Sequence, residues 1–502
     1  MRLAFGVDQI RAAESQLLAR DGDESVMRRA ATGLAVTCGR LLVSLRGRVT
    51  GSRVVLLVGS GNNGGDALWA GARLAERGAQ VTAIQLGSVL HEGGARALRM
   101  AGGRVVEVSD GESLIESADL VIDGIVGIGG RGALRSDAAA LARTCLRSGA
   151  VVVAVDLPSG VDADTGAVAD PDAVIRADVT VTLGALKPGL LVMPAAELAG
   201  VVELVDIGLG PFLTAHLAVA TTLQANDIAL ALPTPTHDDH KYSRGVVVVD
   251  AGSTPYPGAG VLATGAARVG GAGLVQYGGA SSDLVAARYP DVVVADIAGQ
   301  RATAHIVGPG LAGEAPSPEV LGVSEPVLLD ATALRWLADS VVWQQALAAR
   351  VERGAVTVLT PHEGEFRALG GSGEQVDRVG AAKAAAARWG AVVLLKGATT
   401  VVAEPGGQVW INPMAPPALA TAGSGDVLSG LAGSWLAAAH ARALAEGHGL
   451  TAIAAGEAVA GAAWVHAFAA RVAEGDPVAP IAALDVLDAL PRALAVVRGV
   501  DQ

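Results

Sequence analysis

Short, continuously apolar runs alternate along this chain with glycine-rich or polar turns and with longer stretches at helical spacing. In the first part, Val54–Leu57, Gln80–Leu86, Leu120–Ile122, Val151–Val155 and Val179–Leu183 stand out, most of them continuous β-branched or aliphatic runs rather than alternating ones. Such runs predict strands covered on both faces, as in a parallel sheet. Ala67–Arg77 and Asp137–Arg147 fit the helices that cross between them. The pattern breaks between about Gly208 and Tyr242, where Pro211, Pro233, Pro235 and the polar run His237–Lys241 interrupt it. A boundary near Thr221 is expected, dividing the chain into domains 1–220 and 221–502. A second αβ series follows, with strands at Gly245–Asp250, Ala304–Val307, Val327–Leu329, Val356–Leu359, Ala391–Leu395, Thr400–Ala403 and Val409–Ile411. Alanine-rich helices are expected after Pro257, around Trp336, around Lys383, after Gly425 and over Ala452–Arg471. The predicted class is α/β, with two domains whose ligands collect at the carboxyl ends of parallel strands.

Composition narrows the chemistry. A length of 502 residues exceeds one ordinary core, and 51% hydrophobic with 17% charged residues describes a folded chain. A net charge of −13 argues against a nucleic-acid or anionic-membrane surface, so local amides, lysines or cations must hold any anionic substrate. Cys38 and Cys145 form neither a metal-ligand spacing nor a disulfide framework and read as core thiols of a reducing compartment. Met1–Glu14 lacks a cleavable apolar segment and the apolar runs are short or alanine-rich, so a cytoplasmic protein with no membrane span is expected. A homo-oligomer is left open.

Two glycine-rich strings carry the candidate chemistry. In the second half, Gly423, Ser424 and Gly425 can present successive amides to a phosphate at the start of a helix, with Asp426 beside them to accept a proton from an attacking hydroxyl. The plain alternative is an Asp cap after a flexible turn. Lys396-Gly397-Ala398-Thr399-Thr400 follows a very apolar strand, where a nucleotide phosphate could lie, although Lys396 alone could equally be a snorkelling strand end. Pro361-His362-Glu363-Gly364-Glu365 ends another strand; His362 could read a substrate hydroxyl or pyrophosphate, and Glu365 could help hold hydrated magnesium. Gly260 and Gly310 sit in strand-end turns that permit close ligand approach, or simply tight turning.

In the first half, Asn62, Asn63, Gly64, Gly65 and Asp66 follow a strand, and Asp123, Asp156 and Ser159 follow later ones. Amide, hydroxyl and carboxylate oxygens with little charge suit a monovalent cation; a cluster of polar turn caps is the alternative. A Ser/His/Asp hydrolase fits poorly, since Ser159 is not in a nucleophile elbow and His91 and His216 lie outside the pattern.

Both strings are found in a known family. Asp426 in Ala-Gly-Ser-Gly-Asp-Val-Leu, with Lys396-Gly397, Pro361–Glu365 and His240-Lys241, resembles the ribokinase-like dehydratase domain of the bifunctional NAD(P)H-hydrate repair enzymes. Gly61–Asp66, Asp123–Gly127 and Asp156–Asp162 are similar to the Rossmann-like, three-layer epimerase domain of the same family. The resemblance implies that the first domain interconverts the R and S hydrates of NADH and NADPH. The second would dehydrate the S hydrate with ADP, releasing AMP and phosphate, with magnesium as its metal. By the same resemblance Asn63, Asp123 and Ser159 would hold potassium. Asn62 to Asp66, the loop Gly127, Ile128, Gly129, Gly130, Arg131, Gly132 and Ala133, and Asp156 would contact the hydrate, with Asp156 also moving a proton. Lys396, Gly397, Ala398, Thr399, Thr400 and Gly425 would contact ADP, with Gly423, Ser424 and Gly425 forming the anion hole. Gly260, Gly310, His362 and Asp426 would face the hydrated nucleotide, and Asp426 would activate the C6 hydroxyl. Gly260 stands where alanine is usual in the family and Ala67 where glycine is frequent. A small-molecule kinase fused to a dinucleotide-binding module is the main rival; it explains Asp426 and leaves the first cluster without a reaction.

Overall fold

A computed structural model describes residues 1–213, 218–295, 301–371 and 377–499; His216 falls outside them. The chain divides into two compact units, 3–219 and 1–2 together with 220–502.

The first unit is built on a seven-stranded parallel sheet. In space its order is Arg104–Val106, Gln80–Gln85, Arg53–Val58, Leu120–Gly124, Val151–Val155, Val179–Leu183, Val201–Val205. Alternate residues of the central strand serve opposite layers. Val54, Leu56 and Val58 pack with the helices Val7–Asp21, Asp23–Arg46 and Asn62–Glu76. Val55 and Leu57 pack with the helices Gly111–Glu116 and Ser136–Arg147. That is the physical content of a three-layer, Rossmann-like domain, and it explains why the strands read as unbroken apolar runs. Cys38 lies in one layer and Cys145 in the other, both as buried free thiols. The chain reverses its direction of travel across the sheet between Arg53–Val58 and Leu120–Gly124, which opens a crevice at their carboxyl ends. Asn62 and Asn63 open the helix that follows the first of these strands, and Gly127 lies in the loop after the second.

The second unit has a mixed sheet. Val293–Val294, Leu274–Tyr277, Val246–Asp250, Ala304–Val307, Val327–Leu329, Thr357–Leu359 and Val392–Leu395 are neighbours in that order, all parallel. Val401–Ala403 and Val409–Ile411 continue it antiparallel, and Ala220–Thr222 joins Val409–Ile411 in parallel. The helices Pro257–Val269, Ser424–Ala445, Ala452–Glu474 and Ala483–Val497 share one core with Val247, Ile306 and Leu328 from the sheet. This is an α/β arrangement, with helices packed on a largely parallel sheet. Ala452–Glu474 is long and apolar enough to cross a membrane, but 56% of its most apolar window is buried inside the unit, so it packs as a core helix.

Several elements escape the apolar pattern. The helices Val7–Asp21, Asp23–Arg46, Glu92–Met100 and Ala483–Val497 mix small, apolar and charged residues, and the strands Arg104–Val106 and Val201–Val205 sit at the sheet edges with polar neighbours. The motif helices also start earlier than their periodicity suggests, at Asn62 rather than Ala67 and at Ser424 rather than after Gly425. Gly64 and Gly65 are therefore helical residues, not turn residues. A Cβ on Gly64 would collide with the Gly59 carbonyl, and one on Gly65 would stand 3.1 Å from Met27 and His91, so both permit close packing of the helix against the loops around it.

Candidate active sites

At the crevice of the first unit, Asp123 is fully buried at the end of its strand. Its carboxylate accepts from the Ser159 amide at 2.8 Å, the Ser159 hydroxyl at 2.7 Å and the Ile125 amide at 3.2 Å. Burial pushes its pKa up to about 6 against these hydrogen bonds, none of which comes from a cationic group. Asn63 donates through Nδ2 to the Val155 carbonyl at 2.7 Å, and its Oδ1 lies 2.5 Å from where a Cβ on Gly127 would stand. Gly127 is thus a glycine because Asn63 occupies that space. The Ser159 hydroxyl joins the Asp123 carboxylate to the Val126 carbonyl, and Asn63 Oδ1 lies beside Gly127; oxygen donors of this kind fit a monovalent cation.

Asp156 follows the next strand with φ of 70°, a left-handed conformation that is uncommon for a residue with a side chain. The strain aims its carboxylate back at the Leu183 amide, 3.0 Å away, and at the ammonium of Lys187, which is 1% exposed and also bonds the Thr182 hydroxyl at 3.0 Å. Asp156 and Asn63 open into a cavity of about 460 Å³ whose other polar walls are Arg11, Glu14, Asp23, Asn62 and Asp66. A second cavity, of about 480 Å³, is lined by Gly130, Arg131, Gly132, Ala133 and Arg135. Ile125, Val126 and Gly127 line both. The residues expected to touch the hydrate therefore divide: Asn62, Asn63, Asp66, Gly127, Ile128, Gly129 and Asp156 face the carboxylate-rich cavity, and Gly130 to Ala133 face the arginine-bearing one. Gly64 and Gly65 line neither.

In the second unit, Gly423 adopts φ of 87° and caps the helix Ser424–Ala445; the Gly425 amide stands at its positive end, while the Ser424 amide, also expected to face a phosphate, donates to the Thr421 carbonyl at 3.3 Å. Asp426, in the first turn, is half-buried, and burial followed by the nearby Asp330 pushes its pKa up to about 6. Lys396 ends its strand with Nζ 2.7 Å from Asp330, 3.9 Å from Glu365 and 3.6 Å from where a Cβ on Gly425 would stand. Asp330 also accepts from the Ser429 hydroxyl at 2.7 Å; burial opposes its ionisation, but Lys396 and these hydrogen bonds hold its pKa below the ordinary carboxylate value. Lys396 is thus committed to Asp330, and among the described residues no cation is hydrogen-bonded to Asp426. His466, on the helix Ala452–Glu474, lies against the Ser424 backbone, and burial pushes its pKa down to about 4, so it supports that turn as a neutral ring.

The strand-end loops around this centre are arranged less uniformly. Glu365 is buried and caps its own helix, accepting from the His362 amide at 2.9 Å, while His362 accepts from the Gly364 amide at 2.9 Å through Nδ1. The cap uses Glu365 Oε2, and Oε1 lies 3.3 Å from His362 Nε2. Gly397 and Ala398 are exposed, whereas Thr399 is 1% exposed and faces the interior. Gly310, with φ of 62°, packs directly on Ala259 beside Gly260, so these two glycines form one wall. A Cβ on Gly260 would stand 2.6 Å from the Tyr277 hydroxyl, which donates to the Ala251 carbonyl at 2.6 Å. Tyr277 occupies the space that alanine would need.

Lys187, Asp330, Ser429 and Glu14 are the site residues that sequence reasoning missed. Asp330 was accessible to the strand-end rule, as the residue after Val327–Leu329. Lys187 lies four residues beyond Val179–Leu183 in Leu-Lys-Pro-Gly and carries a weaker signal. Glu14 reaches the cavity from a helix outside the strand-and-turn pattern.

Comparison with known proteins places these centres in context. Residues 23–189 match the family model described as YjeF-related protein N-terminus, and residues 246–492 match the model described as NAD(P)H-hydrate dehydratase. The chain is 47% identical over 444 residues to the bifunctional NAD(P)H-hydrate repair enzyme Nnr of Mycobacterium tuberculosis (strain CDC 1551 / Oshkosh), covering 87% of this chain and 89% of that one. It is 44% identical over 487 residues to the enzyme of the same name from Mycobacterium leprae (strain TN), covering 95% of each. Among solved structures, the ADP/ATP-dependent NAD(P)H-hydrate dehydratase from Bacillus subtilis co-crystallised with ATP/Mg2+ is 27% identical, with a TM-score of 0.46 over 55% of this chain and 99% of that one.

Proposed function

The chain belongs to the family of bifunctional NAD(P)H-hydrate repair enzymes, and from that membership we propose that its first unit epimerises hydrated NADH and NADPH while its second dehydrates the S hydrate with ADP. The observation that carries the dehydratase reading is the division of labour around Lys396, which is held by Asp330 and leaves Asp426 at the phosphate-binding helix end. Asp426 takes the proton of the C6 hydroxyl as its oxygen attacks the β-phosphorus of ADP, and AMP departs. The anion hole of Gly423, Ser424 and Gly425 receives the transferred phosphoryl group, and Lys396 lies where it offsets the charge. Electrons from N1 then expel phosphate from C6, and loss of a C5 proton restores the reduced ring. Magnesium would accompany the nucleotide and offset phosphate charge; Asp330 and Glu365 already have protein partners, so phosphate oxygens and water would supply most of its ligands.

In the first unit the two adjoining cavities suit the two ends of a dinucleotide. The carboxylate-rich cavity takes the uncharged hydrated ring, and Arg131 and Arg135 with the loop amides take phosphates. Potassium is assigned to Asn63, Asp123 and Ser159, where it neutralises the buried Asp123 and fixes the loop that shapes both cavities. Asp156, oriented by Lys187, receives the proton of the C6 hydroxyl. The site of action is the cytoplasm, where the NADH and NADPH pools reside. Supplying the S hydrate with ADP tests the dehydratase reading: reduced-cofactor absorbance should return with equimolar AMP and phosphate. Full-rate return without nucleotide, or with AMP alone, would contradict it.

A further inference from the structure

One carboxylate in the first site has no counterpart to its neighbours' partners. Asp66 lies in the second turn of Asn62–Glu76, too deep to cap the helix, and is 6% exposed. Among the described residues its Oδ1 has no hydrogen-bond partner, and the residue lines the same cavity as Asp156. The groups facing it bring negative charge: Glu14 from Val7–Asp21, Asp23 at the start of Asp23–Arg46, and Asp156. Arg11 also lines the cavity, Lys187 is bonded to Asp156, and His91 packs against neighbouring Gly65. Of the two carboxyl groups, Asp156 holds a buried ammonium and Asp66 has none.

Resting on the epimerase reading above, we propose that Asp66 is the general acid of epimerisation, working opposite Asp156 on the hydrated ring. The hydrate is a cyclic carbinolamine at C6, and its configuration can invert by opening the ring. Asp156 takes the proton from the C6 hydroxyl, the C6=O bond forms, and the C6–N1 bond breaks with its electron pair going to N1. Asp66 gives its proton to N1. Rotation about C5–C6 presents the other face of the aldehyde; N1 then attacks C6 as Asp66 recovers its proton and Asp156 returns the other to oxygen. Every proton is restored and no water enters or leaves. The environments agree with these roles, because burial and then the charges of Asp156, Glu14 and Asp23 hold the Asp66 pKa well above the ordinary carboxylate value. It therefore carries a proton at pH values where an exposed carboxyl would have lost it.

The test uses the full chain and pure R hydrate without ADP, following the appearance of S hydrate. Asp66→Asn should lower kcat by about 10²–10⁴-fold with a much smaller change in KM, and Asp66→Glu should recover part of the loss. Wild-type kcat should fall as pH rises through the raised pKa of Asp66, and that alkaline limb should vanish in Asp66→Asn; thermal unfolding checks the fold. Near-wild-type kcat in folded Asp66→Asn, or no alkaline limb in the wild-type profile, would overturn the proposal. Wild-type protein that fails to interconvert the hydrates at any pH would instead overturn the epimerase reading itself.

Discussion

The two sites use the same ingredients, a lysine and several aspartates at strand ends, and arrange them in opposite ways. In the first unit Lys187 is sealed inside and grips Asp156, the residue assigned to proton transfer. In the second, Lys396 is 19% exposed on its side chain and grips Asp330, so the residue assigned to proton transfer, Asp426, is only nearby. An aspartate locked to a buried ammonium is oriented by it. One left beside a committed lysine keeps a pKa near the working range and can exchange its proton readily. The pairing pattern, rather than the residue types, distinguishes the two centres.

The largest effect that would break this comparison is loss of Asp426. Asp426→Asn keeps the size of the side chain and removes the base, so ADP-dependent dehydration of the S hydrate should fall by about 10²–10⁴-fold. Interconversion of R and S hydrates should continue, measured by chromatography of the hydrates; unchanged dehydration would remove Asp426 from the mechanism. Next in size, Asp156→Ala should slow R-to-S conversion toward the spontaneous rate and leave dehydration of pure S hydrate intact. Because it strands Lys187 in the interior, the same change should cost about 3–5 kcal/mol of stability in denaturant unfolding. Adding Lys187→Met should restore most of that stability and none of the epimerase activity, which separates the orienting role from the structural one.

The pH response sharpens the contrast further. With the Asp426 pKa near 6, dehydration should decline as pH falls through that region, because the protonated carboxyl cannot accept the hydroxyl proton. Lys396 lowers the Asp426 pKa, so Lys396→Met should move this acidic limb to higher pH as well as reduce the maximal rate. An acidic limb that stays in place would show that another group controls it. The smallest predicted effect concerns Gly260. Gly260→Ala brings a methyl 2.6 Å from the Tyr277 hydroxyl and should cost about 1–3 kcal/mol, with Tyr277→Phe relieving part of it in a double-mutant cycle. Additive costs would mean that the tyrosine does not occupy the alanine's place.

Strand ends were the most legible part of the molecule. Runs such as Val54–Leu57 and Val151–Val155 are apolar on both faces because helices cover both faces, so their limits, and the polar residues after them, stand out in the sequence. The helices Val7–Asp21 and Asp23–Arg46 gave no such signal, and Glu14 and Asp23 were hidden with them. Glycine was read for the wrong reason at Gly64 and Gly65, where close packing rather than turning requires it, and for a suitable reason at Gly423, whose φ is 87°. The pairing of Lys187 with Asp156 and of Lys396 with Asp330 spans 31 and 66 residues, and no local pattern encodes it.

The central claim, that one chain carries two separate sites acting in succession through a released S hydrate, is tested most directly by complementation. Pure R hydrate and ADP are given to Asp156→Ala, to Asp426→Asn, and to an equal mixture of the two. Each variant alone should produce little NADH beyond that allowed by spontaneous epimerisation, and the mixture should produce it at a rate approaching wild type. Failure of the mixture, with both variants folded and each retaining its intact half-reaction, would contradict two independent sites linked by a diffusing intermediate.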